Sequence, residues 1–143
     1  MSFMSVEFCD TNVLGYAHDT ASPAKHQQAE QLVARLWQSG DGAISVQVLQ
    51  ELFAYVTRKL RPPLPVADAR SIIAVLTAWR VFAPDANDVL EAIDASARWQ
   101  VSFWDAMVLT AARKSQATIL WSEDLNDGQN YDGVVVRNPF RSL

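Results

Sequence analysis

The sequence predicts a three-layer α/β/α fold with a central parallel sheet of four to five strands, and three observations support this prediction. Short apolar runs of strand length alternate with longer segments whose apolar residues recur every three or four positions. Parallel strands need crossover connections, which the amphipathic helices supply. With 143 residues, half of them hydrophobic, the chain has the length of one ordinary domain. We therefore expect a single domain over residues 1–143.

The first strand is predicted from the apolar residues Val6, Phe8 and Cys9, and a helix is predicted to open near Asn12. Asp10 lies between the two elements. Ligands of α/β folds bind at the carboxyl ends of the strands, which makes Asp10 a candidate site residue. Alternatively, Asp10 or Asn12 only caps the helix. This stretch alone supports both interpretations equally.

The next stretch of the chain is predicted to contain a helix, a strand and a second helix. A helix is predicted from Pro23 to Gly40, because a proline favours the first turn and a glycine favours the end. A short strand is predicted over 43–46, and an amphipathic helix over 48–60 that is ended by Pro62 and its neighbour.

The remaining pattern continues the alternation. Ser102 is the expected N-cap of a helix that carries Asp105 in its first turn. The helix dipole favours an acid there with or without catalysis, so Asp105 alone does not indicate a site. The predicted elements are helices over 65–79, 85–97 and 102–114, strands over 81–82 and 117–121, and a possible fifth strand over 134–136.

Composition excludes several classes of protein. One cysteine, Cys9, allows neither an internal disulfide nor a cysteine zinc site, and we expect it to be a small buried residue. His18 and His26 lack partners at metal-ligand spacing and are expected at the surface. Apolar runs of about 18 residues and a signal-peptide pattern are both missing, so we expect a cytoplasmic protein. A net charge of −4 argues against RNA binding by a uniformly basic surface.

Four acids are expected to converge, because the carboxyl ends of parallel strands meet at one edge of a sheet. Asp10 and Asp124 follow predicted strands, Asp105 starts a helix, and Glu51 lies early in the helix after the second strand. Such carboxylates raise each other's pKa unless a cation neutralises them. Hard oxygen ligands suit Mg²⁺ or Mn²⁺. The sequence therefore predicts a divalent metal site at this edge.

The motifs around these acids resemble those of the PIN domain family, and within it the VapC-type toxins of bacterial toxin–antitoxin pairs. The resemblance covers nearly the whole chain. Cys9 stands where an aliphatic residue is more usual, and Asp127 is an additional acid whose role the sequence does not settle. The matching stretches are Cys9-Asp10-Thr11-Asn12-Val13-Leu14, Gln50-Glu51-Leu52, Ser102-Phe103-Trp104-Asp105-Ala106 and Trp121-Ser122-Glu123-Asp124-Leu125.

The resemblance implies an endoribonuclease that hydrolyses RNA phosphodiesters with Mg²⁺ or Mn²⁺. The metal would be held by Asp10, Glu51, Asp105 and Asp124, with Asp10 and Asp105 as the candidates for direct ligands. Hydrogen bonds would orient these carboxylates; the candidate donors are Thr11, Asn12 and Ser122. Basic residues at helix ends are candidate contacts to the RNA backbone: Arg58, Lys59 and Arg61, and beyond them Arg98, Arg113 and Lys114.

The resemblance also implies two protein partners. One is a small antitoxin whose C-terminal segment folds onto this chain and presents a cation, an arginine, to the acids. The other is a second copy of the chain, in a homodimer packed through helices. The 65–79 helix and Trp79 are one candidate surface for that dimer.

Two other functions use similar residues. A phosphatase of the haloacid-dehalogenase type also has an acid after its first strand, but needs Asp-x-Asp where this chain has Asp10-Thr11-Asn12. A catalytically inactive PIN-like module that binds RNA or protein would have no reason to keep every acid. Cleavage of RNA that requires Mg²⁺ and is lost in EDTA distinguishes the nuclease from both.

Overall fold

A computed structural model describes residues 5–143, so the first four residues of the predicted domain lie outside the described part. Over these residues the predicted alternation is confirmed, with six strands and six helices. In chain order they are β1 Glu7–Cys9, α1 Thr11–Tyr16, α2 Pro23–Ser39, β2 Gly42–Ser45, α3 Val46–Arg58, α4 Val66–Leu76, β3 Arg80–Phe82, α5 Ala86–Trp99, α6 Phe103–Lys114, β4 Ile119–Trp121, β5 Asn130–Tyr131 and β6 Val134–Arg137.

The described strands form one sheet in the order β3-β2-β1-β4-β6-β5. Strands β3, β2, β1, β4 and β6 are parallel, as predicted, and β5 pairs with β6 in antiparallel orientation. The sheet thus has one strand more than the four to five predicted. Strand β5 has only two residues, too few to show an alternating pattern, and a turn with positive φ at Asp132 and Gly133 joins it to β6.

Strand β1 lies in the middle of the sheet, which places Asp10 between two neighbouring strand ends. Phe8 and Cys9 of β1 are fully buried, and so are Ile44 of β2 and Leu120 of β4. Helices α1 to α4 pack on one another, and α5 packs on α6. The two groups of helices cover the sheet, and the carboxyl ends of β1, β2 and β4 share one edge.

Strand β1 also contains a buried acid with a structural role. Glu7 accepts two hydrogen bonds from the Arg35 guanidinium, at 2.8 and 2.9 Å, and one from the Trp121 indole N–H at 2.8 Å. The Arg35 bonds hold the pKa of Glu7 below its ordinary value. This carboxylate is neutralised within the fold and is separate from the predicted site.

The prediction that Trp79 contributes to a dimer surface is wrong. Helix α4 ends at Leu76, and the Trp79 side chain turns inward and is buried. It occupies the space above Gly42, where an added Cβ would lie 2.6 Å from the indole ring. The Trp79 ring also contacts Trp37 in a T-shaped arrangement, with ring centroids 5.5 Å apart. Packing against Gly42, which lies 37 positions earlier in the chain, removes Trp79 from the surface.

The positions expected for Cys9 and His18 are confirmed. Cys9 is fully buried, and burial raises its pKa. His18 is exposed as expected, but His26 is only partly exposed, with Nδ1 2.9 Å from the carbonyl oxygen of Tyr16. Within residues 5–143, every helix is too short or too polar to cross a membrane.

Candidate active site

Asp10 is both a helix cap and a member of the predicted site. It follows β1 directly and is the N-cap of α1, where its Oδ1 accepts the Thr11 backbone N–H at 2.8 Å. Its Oδ2 accepts the Ser122 hydroxyl at 2.8 Å. The residue is only 5% exposed. The two interpretations of the opening stretch are therefore compatible, since one oxygen serves the helix and the other faces the strand-end loop after β4.

Glu51 is placed by helix α3, which begins directly after β2. The Ser45 hydroxyl caps this helix by accepting the Val48 N–H at 3.2 Å. Glu51 lies in its second turn and is exposed, and its Oε1 accepts the Thr11 hydroxyl at 2.7 Å. The amide of Gln47, one turn earlier, lies 3.5 Å from Oε2. A residue of α1 thus orients a carboxylate of α3.

Asp105 starts α6 as predicted. Ser102 is the N-cap of this helix and accepts the Asp105 backbone N–H at 3.1 Å. The Asp105 side chain is partly buried.

Asp124 is held in the loop after β4 mainly by the amide of Asn12. Asn12 Nδ2 donates to Asp124 Oδ2 at 3.0 Å, and Asn12 Oδ1 accepts the Glu123 N–H at 3.3 Å. The Ser122 hydroxyl oxygen also accepts the Asp124 N–H at 3.2 Å. Ser122 and Asn12 therefore connect the ends of β1 and β4 and fix where the loop carries its acid.

The structure brings all four acids to one cavity of about 540 Å³, which we call the acid cavity. The four carboxylates lie around this space. They are not close enough together to form a ready-made metal site, and no other three His, Cys, Asp or Glu side chains of residues 5–143 form one. The side chains that line the cavity are those of Asp10, Thr11, Asn12, Gln47, Glu51, Ala54, Tyr55, Arg58, Lys59, Trp104, Asp105, Val108 and Asp124.

Two of the four carboxyl groups have raised pKa values. Burial raises the pKa of Asp10 to about 6, against the Ser122 and Thr11 hydrogen bonds, and the charges of Asp124 and Glu51 add to the rise. Burial is also the largest cause of the raised pKa of Asp105. The sequence predicted mutual repulsion, whereas loss of hydration is the larger effect.

This donor set fits a hard divalent cation. It offers carboxylate oxygens, and the charged forms of two of them are disfavoured without a neutralising partner. A cation in the acid cavity would restore their ionised forms, and Mg²⁺ and Mn²⁺ prefer such oxygen ligands.

The sequence profile of the PIN domain family matches residues 8–127. The chain belongs to the PIN domain family. Its matched region begins in β1 and includes all four acids of the acid cavity, together with Thr11, Asn12 and Ser122.

Solved structures share this PIN fold. The VapC20 toxin of Mycobacterium tuberculosis, described as a sarcin-ricin loop cleaving toxin, is 26% identical over 82% of this chain and 91% of its own, with a TM-score of 0.64. A toxin–antitoxin complex from Klebsiella pneumoniae is 17% identical over 94% and 98%, with a TM-score of 0.69. DNA-bound VapBC from Salmonella typhimurium is 16% identical over 95% and 99%, with a TM-score of 0.66. Curated protein sequences gave no significant match.

The predicted basic residues are placed differently with respect to the acid cavity. Arg58 and Lys59, at the end of α3, line it, whereas Arg61 lies outside it. The other three cations pair with acids of α5 and of the turn between β5 and β6. Their ion pairs are Arg98 with Asp132 at 3.1 Å, Arg113 with Glu91 at 3.7 Å, and Lys114 with Asp88 at 3.0 Å.

Asp127 has a structural position in this PIN domain. Its Oδ1 accepts the Asn138 N–H at 2.7 Å, and its Oδ2 pairs with Arg141. These bonds lower the pKa of Asp127 and attach the C-terminal segment to the loop after β4. The additional acid of the motif therefore lies outside the acid cavity.

Three polar or aromatic side chains of the cavity were not predicted. Gln47 precedes Glu51 by four positions, a spacing that places both on one helix face. Trp104 is the neighbour of Asp105, so the motif itself contained it. Tyr55 donates its hydroxyl hydrogen to Asp19 at 2.8 Å, a contact that nothing in the sequence indicates.

We expect Ser122→Ala to lower kcat/KM for RNA by about 10- to 100-fold. The change removes the hydroxyl that donates to Asp10 and accepts from Asp124 N–H, so both acids lose orientation. Activity and melting temperature should be measured together, with Ser115→Ala, at the end of α6, as the control. A Ser122→Ala protein with unchanged activity would contradict this orienting role.

Proposed function

We propose that this PIN domain is a Mg²⁺- or Mn²⁺-dependent endoribonuclease and the toxin of a toxin–antitoxin pair. The observation that supports this most is the arrangement of Asp10, Glu51, Asp105 and Asp124 around one cavity. Three of the four accept a side-chain hydrogen bond from Thr11, Asn12 or Ser122. Packing alone would not require four acids around one cavity, three of them oriented by such hydrogen bonds.

The residues of the chain have separable tasks in this proposal. Asp10, Glu51, Asp105 and Asp124 hold the metal, which when bound supplies a water of lowered pKa and positive charge for the phosphoryl oxygens. Ser122 fixes the second oxygen of Asp10 by a hydrogen bond, while the first oxygen is engaged with α1.

The acids alone would repel a phosphodiester, so the substrate needs cationic contacts as well. Arg58 and Lys59 line the same cavity and are both exposed. We assign them to the RNA backbone. Arg61 is exposed beyond the end of α3, and its contact with RNA remains a prediction.

The test is cleavage of a labelled RNA by the purified protein. We expect cleavage with Mg²⁺ or Mn²⁺, loss of cleavage in EDTA, and recovery when the metal is added back. An inactive RNA- or protein-binding module would give no cleavage under any of these conditions. A phosphatase would release inorganic phosphate from a phosphomonoester and leave the internal phosphodiesters intact.

For the antitoxin we propose a segment that reaches the acid cavity with an arginine after crossing an apolar groove. The groove has a volume of about 530 Å³ and lies between α1, α2 and α4. Its apolar wall suits the apolar face of a helix, and two of the structural relatives are toxin–antitoxin complexes. The apolar residues that line the groove are Leu14, Ala17, Val33, Ala34, Trp37, Ile72, Val75 and Leu76.

Co-expression with the neighbouring open reading frame tests the partner separately from the chemistry. Rescue of growth and co-purification are expected. Failure of both would contradict the toxin assignment and leave the nuclease assignment intact.

The homodimer also remains a proposal. With Trp79 buried, α4 is still a candidate surface through the apolar depression between α3 and α4, which Phe53 and Ile73 line. Sedimentation of the purified protein, with Phe53→Ser as the variant, tests this face.

A further inference from the structure

Trp104 stands out on the surface of this chain. Its side chain is 62% exposed, the largest value among the tryptophans of the described residues, which include Trp37 at 40%. Trp104 lines the acid cavity and directly precedes Asp105. A large aromatic side chain left in water beside a candidate active site contributes little to the stability of the fold. We therefore looked for a ligand that this side chain could bind.

The Trp104 ring is exposed on one side and contacts neighbouring residues on the other. Trp104 packs against Phe103 in a T-shaped arrangement with centroids 5.0 Å apart. Phe103 is anchored in turn on a small buried cluster with Ala92, Ala106 and Met107. The carbonyl oxygen of Trp104 accepts the Gln47 amide at 3.3 Å, and the same amide nitrogen lies 3.5 Å from Glu51. Gln47 thus connects the backbone of Trp104 to the Glu51 carboxylate.

The other lining residues indicate the chemistry of the ligand. The acid cavity contains Arg58 and Lys59 in addition to the carboxylates and Trp104. Cations that follow a phosphate backbone, combined with an aromatic face for a base, are the elements with which proteins bind single-stranded nucleic acid. Trp37, by comparison, lines the apolar groove among aliphatic side chains, where a protein segment is the better fit.

We propose that Trp104 stacks on an unpaired base of the RNA next to the phosphate that is cut. This inference rests on the proposed ribonuclease function and adds a substrate contact to it. A base in a duplex is already stacked on both sides, so the substrate is single-stranded at the cleavage site. Stacking has little sequence dependence, so Trp104 selects for an accessible base more than for its identity.

The first test compares the kinetics of three variants on a single-stranded RNA oligonucleotide with Mg²⁺. Trp104→Ala should raise KM roughly 5- to 150-fold, the range expected for loss of one stacked base, with a smaller effect on kcat. Trp104→Phe keeps an aromatic face and should stay within about threefold of wild type. Leu90→Ala is the control, because Leu90 is an apolar side chain of α5 that is similarly exposed, at 59%, and lies outside the acid cavity. It should leave KM unchanged.

The second test measures binding without cleavage, in EDTA, by the fluorescence anisotropy of the labelled oligonucleotide. Abasic nucleosides are placed one at a time on either side of the cleaved phosphate. One of them should weaken binding to wild type as much as Trp104→Ala does, and should cause no further loss in the Trp104→Ala protein. A general change in fold would weaken binding to every oligonucleotide equally and would lower the melting temperature.

The outcomes separate this inference from the function on which it rests. Wild type that cleaves RNA, with an unchanged KM in Trp104→Ala, overturns the stacking role and leaves the nuclease standing. The same result together with loss of antitoxin binding or of dimerisation reassigns Trp104 to a protein contact. Wild type that neither binds nor cleaves RNA overturns both proposals.

Discussion

Asp10→Asn is expected to lower kcat/KM for RNA cleavage by about 1,000-fold or more, which corresponds to about 4 kcal/mol of transition-state stabilisation. Asparagine has nearly the same shape and is also a favoured N-cap, so α1 should keep its start. The variant loses the negative charge that a divalent ion requires. Because Asp10 is buried and its Oδ2 is held by Ser122, a neighbouring acid cannot easily take its place.

The other three acids extend this prediction. Asp105→Asn, Asp124→Asn and Glu51→Gln should each abolish cleavage and toxicity while circular dichroism remains that of the wild type. Asp85→Asn is the matched control for Asp10, since Asp85 is also an N-cap aspartate, at the start of α5. Full activity in the Asp10 or Asp105 variant would overturn the metal-site assignment.

The metal-free protein is expected to lose stability as the pH rises from about 4 to 7. The folded pKa of Asp10, about 6, lies above its ordinary value of 3.8. Below both values the carboxyl group is protonated in the folded and the unfolded chain, and it contributes nothing. Above both values it is ionised in both states, and the cost of burying the charge, about 3 kcal/mol, is fully present.

Asp10→Asn should remove this cost. In EDTA at pH 7 the variant should melt several degrees higher than wild type, and the difference should disappear toward pH 4. Mg²⁺ at about 100 times its Kd stabilises wild type by roughly 2.7 kcal/mol, and the variant should gain much less. Asp105→Asn should behave in the same direction, because its pKa is also raised.

Glu7 provides an internal control, because its stability contribution changes with pH in the direction opposite to that of Asp10. The Arg35 bonds lower its pKa, so Glu7 stabilises the fold at neutral pH, and this contribution is lost as the pH falls through its folded pKa. Glu7→Gln should therefore melt lower at pH 7. If Asp105→Asn also melts clearly lower in EDTA, Asp105 acts mainly as a first-turn acid of α6, and the set of converging acids loses one member.

Much of the fold was predictable because the signals are local. Pro23, Asp85 and Ser102 mark helix starts by their backbone and capping chemistry, and the structure has helices at all three. The spacing of the apolar residues, which is also a local signal, distinguished strands from helices. Strand β5 was missed because its two residues are defined by their pairing with β6.

The sequence by itself also determined which acids follow strands or open helices, since that depends only on the order of the elements along the chain. The tertiary structure decided what surrounds each side chain. Ser122 and Asn12 reach acids 112 residues away, Gly42 provides the space that buries Trp79, and ion pairs engage Arg98 and Lys114. It also decided that burial is the main cause of the raised pKa of Asp10, and that Trp104 stands at the edge of the acid cavity. Hydration, charge pairing and close packing depend on neighbours that are distant in sequence, and those neighbours exist only once the chain has folded.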